Sequence, residues 1–421
     1  MIVCVQGLWH LGSVTAACLA AAGHTVIGLD FDAQTIAKLR DGKAPISEPG
    51  LDALLREHAA RLDFTSDPAA AAKADVLWVA YDTPVDAEDR ADVDFVMTQV
   101  ERVLPHLRDG TLVIVSSQLP VGSTARLEAK APKLAFACSP ENLRLGKAIE
   151  VFTKPDRVVV GVRASSSRAR VAELLAPITA NVEWMSVEAA EMTKHAINAF
   201  LALSVTFANE LASVCERVGA DAKEVERGLK TESRIGPKAY LAPGAAFAGG
   251  TLARDVAFLT QLGQVHSLSL PLLGGVRPSN EFHKKWAQRR LAERLGKLAG
   301  STVAVWGLTY KAGTDTLRRS AAVELCNDLV ANGVRVKAWD PAVRALPPEL
   351  TFSLATDPGA ALDGASALVI ATEWPDFKQL DVKALLPRMV RRLVLDANRF
   401  LAQSTAGLDV EYYAVGVPTR G

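Results

Sequence analysis

The chain has no surplus of either charge. Forty-seven Lys and Arg stand against 47 Asp and Glu in 421 residues. That balance excludes a general binder of nucleic acid or of a charged membrane surface, which needs a basic excess. A local basic pocket for a phosphorylated ligand is still allowed. Cysteine is also scarce: Cys4, Cys18, Cys138, Cys215 and Cys326 are scattered, with no CxxC pair and no metal-ligand spacing. No disulfide framework and no metal site are expected, and the thiols read as buried and reduced in a cytoplasmic protein. A basic leader followed by a signal-peptide core is missing. The apolar stretch near the N-terminus is interrupted by Gly12, Gly23 and His24, too early for a membrane span. Short-period repeats and low-complexity segments are absent as well.

What is present has the texture of a globular protein, with 49% hydrophobic and 22% charged residues. The length suits two or three domains. Met1 to Gln6 reads as a strand, Gly7 to Gly12 as a glycine-bounded turn, Ser13 to Ala22 as an alanine-rich helix and His24 to Asp30 as a second strand. Apolar runs at 76–80, 111–116 and 134–138 continue the alternation, which predicts a parallel, doubly wound sheet. Residues 188–218 read as one long helix without internal Gly or Pro, suited to an inter-domain spine or a dimerisation surface. A second α/β unit follows, with strands at 302–307, 334–339, 368–372 and 393–396 and a helix at 320–331. The expected fold is α/β: two Rossmann-like, doubly wound domains joined by a long central helix and a helical domain. Its domains are placed at 1–183, 184–298 and 299–421.

Gly7-Leu8-Trp9-His10-Leu11-Gly12 sits where a GxGxxG fingerprint would sit. Gly7 allows the tight turn, Gly12 allows close helix–strand packing, and the helix start around Leu11 offers amides and a positive dipole end to a pyrophosphate. Asp30 ends the next strand, where a carboxylate binds ribose hydroxyls and disfavours a 2′-phosphate, so NAD is expected rather than NADP. Trp9 replaces the second glycine, the one that lets the pyrophosphate approach the backbone.

Several later segments, in order, carry a likeness. They are Pro45–Leu51, Thr83-Pro84, Ser139-Pro140-Glu141-Asn142-Leu143-Arg144, Glu191–Asn198, Arg234-Ile235-Gly236, Pro243–Asp255, Gly307-Leu308-Thr309-Tyr310-Lys311, Arg318-Arg319-Ser320, Thr372-Glu373-Trp374 and Asp396–Arg399. Together they resemble the UDP-glucose/GDP-mannose (nucleotide-sugar) dehydrogenases over almost the whole chain. The resemblance implies an NAD site that includes Thr83, Gln118, Arg254 and Arg318. It implies a sugar-nucleotide site of Glu141, Leu143, Arg144, Lys194, Asn198, Arg234, Tyr240, Leu241, Gly249 and Lys311, with Arg234 reaching the neighbouring subunit of a homodimer.

Lys194 and Asn198 are four apart on a helix and leave it from one face. A cation and an amide donor aimed at an alcohol oxygen would stabilise the charge that builds as a hydride departs. Asp255 keeps the family's carboxylate at the end of the loop, to orient a water or relay a proton. The family pattern G-F-G-G-S-C-F-P-K-D, laid over the loop without a gap, puts its nucleophilic cysteine on Thr251. A thiolate is readily reached near neutral pH, whereas a threonine hydroxyl needs a dedicated base. Gln118 and Leu145 also depart from the family pattern, and Arg254 replaces the loop lysine. Cys138, although near the sugar loop, reads as buried, and His195 reads as a packing residue.

The expected activity is NAD-dependent oxidation of the primary alcohol of a nucleotide-sugar resembling UDP-glucose, stopping at the aldehyde after one hydride. Alternatives left open are full oxidation to the uronic acid by a cysteine-independent route, and a non-catalytic nucleotide-sugar-binding paralogue. A hydroxyacid dehydrogenase lacks the second α/β domain.

Overall fold

The computed structural model describes residues 1–86, 91–248 and 250–418. It forms two compact units, Met1–Ile197 and Asn198–Gly421.

In the first unit, eight strands are β1 (Ile2–Gln6), β2 (Thr25–Leu29), β3 (Leu62–Thr65), β4 (Val76–Val79), β5 (Leu112–Val115), β6 (Ala135–Cys138), β7 (Val158–Val162) and β8 (Val182–Met185). They lie in the order β3-β2-β1-β4-β5-β6-β7-β8. Val76-Leu77-Trp78-Val79 and Leu112–Val115 are buried throughout, as expected of parallel strands covered on both faces. The doubly wound reading holds, with one correction: β7 runs antiparallel to β6. The chain between them is a loop and the short helix Ala148–Thr153, not a full crossover.

The helix after β1, α1, spans His10–Ala21, so it starts three residues before the expected Ser13. Gly12 therefore lies inside the helix. A Cβ there would come 1.6 Å from the Gly7 carbonyl oxygen. Gly7 itself has φ +87°, a left-handed conformation that suits glycine. The two glycines thus do different work: one bends the chain, and the other lets the helix press against the bend.

In the second unit, β9 (Thr302–Trp306), β10 (Arg335–Trp339), β11 (Ser353–Leu354), β12 (Ala367–Ile370), β13 (Leu393–Asp396) and β14 (Glu411–Tyr413) form a parallel sheet. Its order is β11-β10-β9-β12-β13-β14. Most of the long helix Val187–Val218 and the helices Thr251–Val265, Pro271–Lys284 and Trp286–Leu295 belong to this unit. Ala212, Cys215, Trp286 and Leu291 share a core cluster with Val303, Val305 and Leu329. The helical segment and the C-terminal sheet are therefore packed as one body. By length and composition, Val187–Val218 is the single helix among the described residues that could cross a membrane, and half of its most apolar window is buried inside the protein.

The two sheets open alike. Gly7 N–H donates to Leu29 O at 2.9 Å, and Gly307 N–H donates to Trp339 O at 2.8 Å. Leu8 N–H then donates to Asp30 Oδ2 at 2.6 Å, and Leu308 N–H donates to Asp340 Oδ2 at 2.7 Å.

Candidate active site

The turn between β1 and α1 brings Gly7, Leu11, Gly12 and Asp30 together as expected. Each Asp30 oxygen accepts one amide, Oδ2 from Leu8 and Oδ1 from Asp32 at 2.9 Å. A carboxylate oxygen has more than one lone pair, so acceptor capacity remains for ribose hydroxyls. The tight glycine turn and this carboxylate fit the adenosine half of NAD. Trp9 is 48% exposed in place of the second glycine. Thr83 is buried and donates through Oγ1 to the Gln118 carbonyl oxygen at 2.8 Å, which ties the turn after β4 to the one after β5.

At the C-terminal ends of β5 and β6, a small pocket is lined by Gln118, Leu119, Cys138, Pro140, Glu191 and Lys194, among others. Ligands of open α/β sheets gather at such strand ends. Lys194 is buried, donates through Nζ to the Glu141 carbonyl oxygen at 2.7 Å, and lies 3.5 Å from Glu141 Oε1. An ammonium has three donors, so these contacts leave capacity for a ligand oxygen. Glu141 Oε2 also accepts from Leu143 N–H at 2.8 Å, which shapes the sugar loop. Leu143 packs against the main core, and Arg144 is exposed.

Glu191 was quoted in sequence only as part of a motif; its work is structural. Its carboxylate accepts from Gly122 N–H at 2.6 Å, Thr124 N–H at 2.9 Å and Thr124 Oγ1 at 2.7 Å. It thereby caps the helix Ser123–Lys130 from outside and fixes the helical turn that carries Lys194. His195 is buried with Nε2 at 2.9 Å from the Leu119 carbonyl oxygen, the packing role expected of it. Cys138 is buried, and desolvation pushes its thiol well above the ordinary value, the Glu191 charge adding to the effect. It is a poor nucleophile.

In the second unit, Asn198 Nδ2 donates to Asp255 Oδ2. Both side chains are buried, Asp255 fully. A carboxylate only accepts, so this bond orients the Asn198 amide, and one of its two N–H donors remains. Thr251 is the first residue of the helix Thr251–Val265 and is exposed. Gly250 before it has φ +106°. Arg254 follows within the first turn, half-buried.

The segment leading to Gly250 is held by side chains that sequence reading did not single out. Gly244 N–H donates to Asn209 Oδ1 at 2.9 Å, and the Gly244 carbonyl oxygen accepts from His283 Nε2 at 2.8 Å. Ala245 N–H donates to Asn398 Oδ1 at 2.6 Å. Asn280 pairs with the Phe247 backbone in both directions, at 3.0 and 2.9 Å. A Cβ on Gly244 would meet Asn398 Oδ1 at 1.9 Å, so a side chain here would displace the Asn398 amide from its bond to Ala245. Of these residues only Asn398 had a sequence signal, in its C-terminal motif.

Arg234 is exposed with Nε 2.9 Å from Glu232 Oε1. Tyr240 is 59% exposed, and Lys311 and Arg318 are exposed. Leu241 lines a second pocket with Phe207, Leu211, Glu226 and Pro243. Gly249 lies outside the described residues.

Comparison with known proteins agrees with this layout. Residues 1–179 match the UDP-glucose/GDP-mannose dehydrogenase family, NAD binding domain. Residues 188–282 match the central domain of the same family, and 304–403 its UDP binding domain. The UDP-glucose 6-dehydrogenase of Pseudomonas aeruginosa is 35% identical over 447 residues, covering 100% of this chain and 98% of the relative. The UDP-glucose 6-dehydrogenase of Rhizobium meliloti is 35% identical over 437 residues, covering 99% and 100%. A UDP-glucose dehydrogenase structure from Pyrobaculum islandicum superposes with a TM-score of 0.88 at 31% identity, covering 99% and 98%. The chain belongs to the UDP-glucose/GDP-mannose dehydrogenase family and is an NAD-dependent oxidoreductase.

Proposed function

We propose that the protein oxidises the primary alcohol, C6, of a UDP-linked hexose resembling UDP-glucose, and releases the aldehyde after one hydride transfer. The observation that carries this reading is Thr251. It stands exposed at the start of the helix Thr251–Val265, with no sulfur in its place. All five cysteines are buried and free, so none is poised as a substitute nucleophile.

NAD supplies the hydride acceptor. In this reading Lys194 and Asn198 stabilise the oxygen on which negative charge develops. Lys194 is held by Glu141 and Asn198 by Asp255, so both donors are set before substrate arrives. Asp255 holds the amide and orients a water. Thr83, Gln118, Arg254 and Arg318 are assigned to the cofactor. Leu143, Arg144, Arg234, Tyr240, Leu241, Gly249 and Lys311 are assigned to the nucleotide-sugar. The segments 1–183, 184–298 and 299–421 are taken as cofactor, helical and nucleotide domains.

The protein works as a cytoplasmic homodimer in this reading. Phe200, Phe207, Val214 and Val218 are 65%, 49%, 56% and 70% exposed, and at this spacing they follow one side of the long helix. Such a stripe favours a covering partner.

Counting NADH per sugar and weighing the product tests the chemistry. One NADH with an aldehyde is expected. Two NADH with a uronic acid from the unmodified protein would show that the second oxidation proceeds without a thiol.

A further inference from the structure

A helix start behind a glycine turn is where a dinucleotide fold seats an anionic diphosphate, and this chain already holds an anion there. Leu11 N–H, in the first turn of α1, donates to Asp82 Oδ2 at 3.0 Å. Asp82 follows β4 and precedes Thr83, so its side chain enters from the neighbouring strand of the sheet. Asp82 is exposed as a residue, while its Oδ2 meets the Leu11 amide in a part-buried contact. The charged groups around it come from two further elements: His10 at the start of α1, and Glu141 on the loop after β6. His10 Nε2 lies 3.0 Å from Glu48 Oε2, and Glu141 lies beside Lys194.

A carboxylate and a diphosphate want the same donors for the same reason: unpaired first-turn amides and the positive end of the helix dipole. They cannot share them, because two anions in contact repel.

We propose that Asp82 competes with the cofactor diphosphate for the start of α1, and that dinucleotide binding requires Asp82 to take up a proton. As a neutral acid, Asp82 no longer opposes the incoming charge and can donate to a phosphate oxygen. The inference rests on dinucleotide binding at this turn. Desolvation by the surrounding protein raises the Asp82 pKa, with Glu141 adding, while the Leu11 amide and His10 act the other way. The proton is therefore more available near neutral pH than for an ordinary aspartate.

The sign follows from linkage. If binding takes up a proton, affinity is full while Asp82 is protonated and weakens as pH rises through its cofactor-free pKa. The steepest expected change is about tenfold in Kd per pH unit for one proton.

The test is calorimetric titration of NAD, ADP and adenosine into wild type and Asp82→Asn across pH 5.5 to about 9. Asn keeps an oxygen for the Leu11 amide, so an unchanged melting temperature is expected. For wild type, NAD and ADP should bind at least about tenfold more weakly at the alkaline end, with proton uptake visible as a buffer-dependent heat. Asp82→Asn should bind both more tightly there and lose most of the slope. Adenosine, which has no phosphate, should bind alike to both proteins at every pH. A flat wild-type profile overturns the proposal. So does a slope that persists in Asp82→Asn, or a variant that binds NAD no better. If adenosine and NAD both fail to bind wild type at any pH, the dinucleotide site itself is wrongly placed and the proposal falls with it.

Discussion

Replacing Thr251 with cysteine should restore a second oxidation. The position is the first residue of a 15-residue helix, and its side chain is exposed. A charge at a helix start gains about 0.3–1 kcal/mol, and up to ~2 kcal/mol when sheltered. At about 1.36 kcal/mol per pKa unit, a thiol there drops by roughly 0.2–1.5 units from about 8.5. Near pH 8.5 the thiolate fraction would then lie between about 0.6 and nearly one. That is ample for attack on an aldehyde held nearby. The assay is a single turnover with NAD in excess. NADH is counted by absorbance, and the protein and product are weighed by mass spectrometry. Wild type should yield one NADH and an aldehyde that a hydrazine captures. Thr251→Cys should yield two NADH per site, with the acid released or retained on the protein as a thioester. Thiol reagents should stop the variant and spare wild type. A folded Thr251→Cys that still yields one NADH would refute the reasoning, because the nucleophile would then not be what limits the reaction.

Lys194→Met should lower kcat by about 10²–10³-fold, the usual loss on removing a donor to a developing oxyanion, with little change in NAD affinity by titration. Gly12→Ala should fail to bind NAD and lose a large part of its stability in urea unfolding, because the new Cβ would fall 1.6 Å from the Gly7 carbonyl oxygen. Glu411 is held down to about 2 by Arg391 first and Arg294 next. Arg391 grips it at 2.7 and 2.9 Å. Since its folded pKa is depressed, this stabilisation is present above the ordinary glutamate value and is lost as pH falls toward 2. With its side chain 37% exposed, the contribution is about 1 kcal/mol or less. Glu411→Gln should therefore lower the melting temperature slightly at pH 7, and the difference should vanish in acid.

Local pattern exposed much of this molecule. The strand, glycine turn and Asp30 of the first sheet were legible because each is a short-range signal. Lys194 and Asn198 were legible as one face of one helix. The strands Leu62–Thr65 and Val182–Met185 were not, because Asp63 and Glu183 interrupt short apolar runs. The early start of α1 is hidden in the sequence because Gly12 looks like the end of the turn, whereas it serves helix packing. The clamp on the loop before Gly250 was invisible for another reason. Its bonds join residues 33 to 153 positions apart, and no window of sequence reports a side chain meeting a distant backbone. Asp82 was missed likewise, since nothing local marks it as the partner of an amide 71 residues earlier.

The aspartates that close β2 and β10 grip the leucine amide of their own glycine loops. The ordering of those loops is thus completed during folding, and none of it is charged against ligand affinity. A nucleotide arriving at either sheet therefore spends little of its binding energy on shaping the glycine turn itself.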